Sequence, residues 1–107
     1  MPTRREKLEA LLAADPGDQF LRYGLSQELD KAGEHDRSLE LLAGLTRDPA
    51  PYVAAFFMAG QQLARLRRVD EARAFLRDGI DAARRRNDLH AAGEMAEFLA
   101  QLGSQGG

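Results

Sequence analysis

Apolar residues recur every three or four positions along almost the whole chain. This spacing places them on one face of an α-helix, because a helix completes a turn in about 3.6 residues. No stretch alternates apolar and polar residues with the period of two that a half-buried β-strand requires. Breaks in the pattern coincide with turn-forming residues, which include Pro16, Gly17, Gly33, Pro49 and Pro51. The pattern therefore predicts an all-α protein of about six helices.

Capping signals predict where several of these helices begin and end. Thr3 precedes Glu6 by three residues, the spacing of a capping box in which each side chain satisfies an amide at the helix start. Asp18 is placed to cap the second helix, and Gly33 to end it in a left-handed conformation. We expect Asp70 to cap the fifth helix as Asp18 caps the second.

The length of 107 residues suits a single domain, which we expect to span residues 1–107. The glycine-rich end of the chain favours a flexible segment rather than a helix. The expected segments are a helix over 4–14, two helix pairs over 19–50 and 53–86, a helix over 88–102 and a flexible tail over 103–107.

The chain matches itself when it is shifted by 34 residues. A helix–turn–helix unit of about this length is typical of tetratricopeptide repeats. The alternative is an unrelated helical bundle whose hairpins have this length by coincidence. The identical pairs are Gln27 and Gln61, Leu29 and Leu63, Asp36 and Asp70, and Leu42 and Leu76.

The second helix pair resembles the tetratricopeptide repeat family at its signature positions. Phe56 stands in place of the usual Trp, Ala59-Gly60 in place of Leu-Gly, and Ala72 as the buried Ala of the second helix. The first pair is more degenerate and has Ser38 at that Ala position. The resemblance implies antiparallel repeats stacked in a short right-handed superhelix. A half-repeat helix would precede them, and a capping helix or the opening helix of a third repeat would follow.

In tetratricopeptide arrays the first helix of each repeat lines a concave face, so the resemblance implies a binding groove. Each first helix here carries an aromatic residue, an amide and a cation four residues apart, which places all three on one helix face. We expect the cations Lys31 and Arg65 to pair with a ligand carboxylate. Alternatively, the aromatic residues fill the interior and the polar ones solvate the rim. The expected groove residues are Phe20, Tyr23, Gln27, Lys31, Phe57, Met58, Gln61, Arg65 and Met95.

The sixth helix carries two apolar stripes, of which we expect one to pack on the fifth helix. The other contains Met95, Phe98 and Leu102, and nothing later in the chain can cover it. An uncovered apolar stripe of this size marks an interaction site. We therefore expect a weak two-fold homodimer through these residues, and a self-associating structural module is the alternative function.

Composition argues against several other functions. The chain has 15 basic and 17 acidic residues and a net charge of −2, whereas dedicated nucleic-acid binders carry a basic excess. Cysteine is absent, which excludes disulfides and thiol catalysis. The run Arg84-Arg85-Arg86 fits a solvated helix end, and a nucleic-acid accessory role is the remaining alternative.

The sequence contains no catalytic template, so we expect neither an enzyme nor a cofactor. His35 lies in a predicted turn and His90 has only Glu94 one helical turn away, which is too few ligands for a metal. No apolar run suits a secretory signal or a membrane helix, so we expect a cytoplasmic protein. We expect a non-catalytic scaffold that binds a peptide or protein segment in its concave groove, with no nucleic-acid or membrane partner.

Overall fold

The computed structural model describes residues 1–105 of the chain, which form six α-helices and contain no strand. Connections of three to six residues join these helices, so consecutive helices run antiparallel. The prediction of an all-α protein with six helices is confirmed. The helices are α1 (Arg4–Ala14), α2 (Gln19–Lys31), α3 (His35–Thr46), α4 (Val53–Arg65), α5 (Val69–Arg85) and α6 (Leu89–Gln105).

Each helix packs against the next one along the chain, and α4 also contacts α6 directly. This sequential packing gives an elongated body of 46 × 30 × 18 Å. The core lies between the helices of each pair and where the pairs stack on each other. Leu42 and Leu76, at equivalent positions of the two pairs, are both fully buried. None of the six helices combines the length and the apolar character that a membrane crossing requires.

Two helix starts and one helix end follow the predicted capping chemistry. The Glu6 amide donates to Thr3 Oγ1 (3.1 Å) and the Thr3 amide donates to Glu6 Oε1 (3.0 Å), which completes the capping box of α1. The carboxylate of Asp18 accepts from an amide of the first turn of α2. Gly33 follows α2 with a φ of 81°, in the left-handed region that glycine favours.

The expected cap of α5 was wrong. The helix begins at Val69, and the side chain of the N-cap residue Arg68 forms no capping hydrogen bond. Asp70 lies inside the first turn and accepts a hydrogen bond from Arg73 instead. The helix begins this early because Arg67 turns the chain in the left-handed region, with a φ of 65°, and the backbone is helical two residues later.

The expected flexible tail was wrong for residues 103–105, which continue α6 as far as Gln105. Two features favour this continuation. Gly103 does not adopt a positive φ, so it does not end the helix as Gly33 does. Leu102 is buried and holds the preceding turn against the rest of the protein. Residues 106–107 of the expected tail lie outside the described residues.

A buried polar network joins α2, α3 and α4. The Ser38 hydroxyl donates to the backbone carbonyl of Ser26 (2.6 Å) and accepts from Nε2 of Gln62 (3.0 Å). All three side chains are almost completely buried. Buried polar groups are stable only when they are hydrogen-bonded, so these bonds restrict how the two helix pairs can stack.

Candidate binding groove

The helices α2, α4 and α6 lie side by side along one side of the stack, which we name the groove face. Two contacts join α2 to α4: Ser26 Oγ lies 3.9 Å from Sδ of Met58, and Arg65 Nη2 lies 2.9 Å from Oδ2 of Asp30. Direct packing joins α4 to α6. The resemblance implied that the first helix of each repeat would line this face.

Eight of the nine predicted groove residues keep part or most of the side chain accessible. Phe20 is 70% exposed, which is unusual for an aromatic side chain. Met95 is the exception: it is completely buried and packs beside Gly79 of α5, so it cannot contact a ligand. The eight accessible residues are Phe20, Tyr23, Gln27, Lys31, Phe57, Met58, Gln61 and Arg65.

The predicted aromatic row of Tyr23 and Phe57 does not form as a ring pair. The ring of Tyr23 packs on Tyr52, with centroids 5.2 Å apart, and burial raises the pKa of the Tyr23 hydroxyl. The ring of Phe57 packs edge-on against Phe98 of α6, with centroids 5.9 Å apart. Each ring therefore stabilises a contact between helices and offers only its remaining surface to a ligand.

The predicted cationic row already pairs with carboxylates of the chain itself. Lys31 Nζ lies 3.1 Å from Oε2 of Glu28, and the hydrogen bond from Lys31 is the main cause of the lowered pKa of Glu28. Arg65 pairs with Asp30, which also contacts Nδ1 of His35 at 2.8 Å. Both cations are mostly exposed, and such surface pairs contribute only about 0–1 kcal/mol, so a ligand carboxylate can displace them at little cost.

Sequence reasoning paired neither cation with an acidic residue of the chain itself. The Glu28–Lys31 pair was detectable, because a three-residue spacing places both side chains on one helix face. The Asp30–Arg65 pair joins residues 35 apart in sequence, and only the stacking of α2 beside α4 brings them together.

Two pockets open on the groove face. The α2–α4 pocket, of about 340 Å³, is lined by Arg4, Gln27, Asp30, Lys31 and Met58. The larger α4–α6 pocket, of about 720 Å³, has a lining that includes Gln61, Arg65, Arg67, Val69, Phe98 and Leu102. The ion pair between Asp30 and Arg65 joins the two pockets, because each of these residues lines one of them.

The expected exposure of Met95, Phe98 and Leu102 as a dimer face was wrong. Met95 is fully buried, Leu102 is 6% exposed, and Phe98 is half-buried against Phe57. The reason is that α6 packs against α5 and α4 together, so the chain itself covers this stripe. The more exposed apolar side chain of α6 is Leu89, at its first turn.

Within the described residues, no group of three or more His, Cys, Asp or Glu side chains is arranged to hold a metal ion. His35 contacts Asp30, and Nε2 of His90 lies 3.3 Å from Oε1 of Glu94. The basic run at the end of α5 is exposed, and Arg86 donates to the carbonyl of Pro51 (3.2 Å).

No protein-family model and no curated protein matches the chain. Several solved structures do match the chain. The solution NMR structure of a tetratricopeptide repeat domain protein from Salinibacter ruber is 32% identical, with a TM-score of 0.75, over 81% of this chain and 88% of that chain. A crystal structure of a domain with the same description from the same organism is 31% identical, with a TM-score of 0.72, over 81% and 97%. The solution structure of a protein from Bordetella parapertussis is 30% identical, with a TM-score of 0.80, over 98% and 91%.

Proposed function

The chain belongs to the tetratricopeptide repeat family, and from this premise we propose that it is a non-catalytic interaction module that binds a peptide or protein segment on the groove face. The partner is a protein, and the bound segment lies along α2, α4 and α6. We propose neither an enzymatic activity nor a cofactor, and we expect the protein to act in the cytoplasm.

The observation that carries this proposal is the pair of pockets joined by the Asp30–Arg65 ion pair. Together they offer apolar surface, from Met58 and Phe98, and side-chain amides, from Gln27 and Gln61. Peptide binding uses both, because apolar anchors supply affinity and polar groups satisfy the peptide backbone. Such a continuous surface suits an extended segment better than a compact small molecule.

Phe20 gives independent support. It lies in the first turn of α2 and is 70% exposed, although burying a phenylalanine side chain is worth about 1.5–3 kcal/mol. A partner that covers Phe20 would recover that free energy. Exposed aromatic side chains of this kind often become the dominant contacts of an interface.

The proposal is tested with two groove variants, Phe20→Ala and the double change Lys31→Glu with Arg65→Glu. Each has a matched control away from the predicted groove residues: Leu89→Ala, at a similarly exposed apolar residue, and Lys7→Glu with Arg77→Glu, with the same change in charge. A partner is captured from the native extract, and its binding to the purified chain is then measured directly.

We expect both groove variants to weaken that partner about tenfold or more, while both controls bind as the wild type and all variants keep the same far-UV helicity. Equal binding by groove and control variants would contradict the proposal. If the captured partner is a nucleic acid and its affinity falls steeply with added salt, the basic end of α5 is the interaction site instead.

A further inference from the structure

Arg67 has a backbone conformation that suits glycine better than arginine. The residue lies in the turn between α4 and α5 with a φ of 65°. Its equivalent in the first helix pair, 34 residues earlier, is Gly33, with a φ of 81°. Glycine adopts this left-handed conformation without steric cost, whereas a Cβ atom strains it. The second repeat therefore carries a strained arginine where a glycine would fit the fold better.

The Arg67 side chain is exposed. Among the residues whose side chains the structure describes, none forms a hydrogen bond or ion pair with its guanidinium. The nearby arginines do form ion pairs: Arg65 pairs with Asp30, and Arg68 pairs with Glu71. An unpaired guanidinium on a strained backbone indicates a role outside folding, because strain of this kind concentrates at functional sites.

Arg67 is one of the residues that line the α4–α6 pocket. Val69, Phe98 and Leu102 provide apolar surface there, and Arg65 adds a second cation. Among the residues that the structure describes, no carboxylate lines the pocket, although Asp30 approaches Arg65 from the neighbouring pocket. A volume of about 720 Å³ exceeds the size of one side chain and suits two or three residues of a peptide.

We propose that Arg67 is a ligand-binding residue and that the α4–α6 pocket holds a short acidic segment of the partner protein. An apolar side chain of that segment packs on Phe98 and Leu102, and a neighbouring carboxylate pairs with the Arg67 guanidinium. Arginine suits this role because its planar fork binds a carboxylate through two parallel hydrogen bonds. This inference rests on the proposed function and assigns its partner a chemistry.

The variant Arg67→Gly tests this inference, because it is expected to change the stability of the protein and its affinity for the ligand in opposite directions. If Arg67 is a binding residue, glycine relieves the backbone and removes the cation, so the melting temperature rises while affinity falls about tenfold. Arg67→Asn checks this result with a second neutral residue that tolerates the left-handed region, as Asn87 does at a φ of 58°. Arg67→Lys keeps the charge but loses the planar fork, so it is expected to retain only part of the affinity. Arg77→Ala, an equal loss of charge on the exposed side of α5, is expected to leave the affinity unchanged.

The probe is a random decapeptide display library selected against the full wild-type chain, with each enriched peptide titrated against every variant by fluorescence anisotropy. We expect the enriched peptides to combine Asp or Glu with an adjacent apolar residue and to lose affinity with Arg67→Gly and Arg67→Asn. Peptides that bind the wild type and both neutral variants equally overturn this inference and leave the proposed function intact. A library with no acidic–apolar enrichment also overturns it, whereas the proposed function is decided separately by the Phe20 and Lys31/Arg65 variants.

Discussion

A Cβ atom added to Gly79 would lie 2.5 Å from the Cβ atom of Phe56. It would also lie 2.6 Å from Sδ of Met95, so Gly79 marks the point where α4, α5 and α6 come together. Apart from the nearby backbone of α6 and the two adjacent residues, no atom of the described residues lies within 4 Å of the equivalent atom at Gly93, which occupies an exposed face of α6. The two glycines are both helical but have opposite surroundings.

Gly79→Ala is expected to lower the free energy of unfolding by about 1–3 kcal/mol, because the added methyl group overpacks this crossing. Gly93→Ala is expected to raise it by roughly 0.5–1 kcal/mol, because alanine loses less backbone entropy than glycine in a helix. Urea unfolding of both variants measures the difference. A stabilising effect of Gly79→Ala would contradict the close packing of these three helices.

Leu42→Ala and Leu76→Ala are each expected to cost about 2–5 kcal/mol, since both side chains are fully buried and truncation leaves a cavity. Leu11→Ala, at a residue 54% exposed, is the control and is expected to change stability by less than about 0.5 kcal/mol. Thermal unfolding followed by circular dichroism compares the three. Similar melting temperatures for all three would contradict the burial of Leu42 and Leu76 in the core.

The Ser38–Gln62 hydrogen bond is expected to show strong coupling in a double-mutant cycle. Ser38→Ala removes the acceptor of the buried Gln62 amide and is expected to cost about 1–3 kcal/mol. Changing Gln62 to Leu as well removes the unpaired polar group, so the double variant is expected to be more stable than Ser38→Ala alone. Additive losses in chemical denaturation would indicate that the bond contributes little.

The ion pair between Arg22 and Asp48 is expected to make stability depend on pH in the acid range. The hydrogen bonds from Arg22 and Gln19 lower the pKa of Asp48. The ion pair therefore contributes its full stability above the ordinary aspartate pKa of about 4, and this contribution is lost as pH falls through the folded-state pKa. Asp48→Asn is expected to cost about 1 kcal/mol at pH 6 and less below pH ~4. The exposed Asp78→Asn serves as the control, and a pH-independent difference would contradict this account.

Asp30→Asn is expected to increase affinity for acidic peptides, because Asp30 competes with a ligand carboxylate for Arg65. The gain is expected to be several-fold, in line with the modest strength of exposed ion pairs. Titration of the peptides selected on the wild-type chain measures it, with Asp81→Asn as a control for the change in net charge. Unchanged affinity would place the ligand carboxylate away from Arg65.

Local chemistry explains what the sequence predicted well. Three features depend only on residues within one helical turn: the capping box of Thr3 and Glu6, the cap at Asp18 and the left-handed turn at Gly33. The residues next to each feature in the sequence are therefore enough to predict it. The 34-residue period likewise identified the repeat, because each unit must bury the same face against its neighbour.

The same local logic failed at Asp70, where a strained Arg67 permits the helix to begin earlier than the capping signal indicates. Arg67 is recognisable as a left-handed residue only through its alignment with Gly33 in the 34-residue repeat, because arginine itself does not favour that conformation. Its conformation follows from where α4 must end and α5 must begin in order to pack.

Only the tertiary structure decided which apolar residues α6 exposes and which groups the groove presents. Met95 and Leu102 are buried because α6 contacts two helices at once, and Arg65 is paired because α2 lies beside α4. These outcomes depend on the relative positions of whole helices, which many weak contacts determine together. No single spacing of residues along the chain therefore predicts any of them. Periodicity determined the helices of this protein and their repeat, whereas the stacking of those helices determined the surface left for a partner.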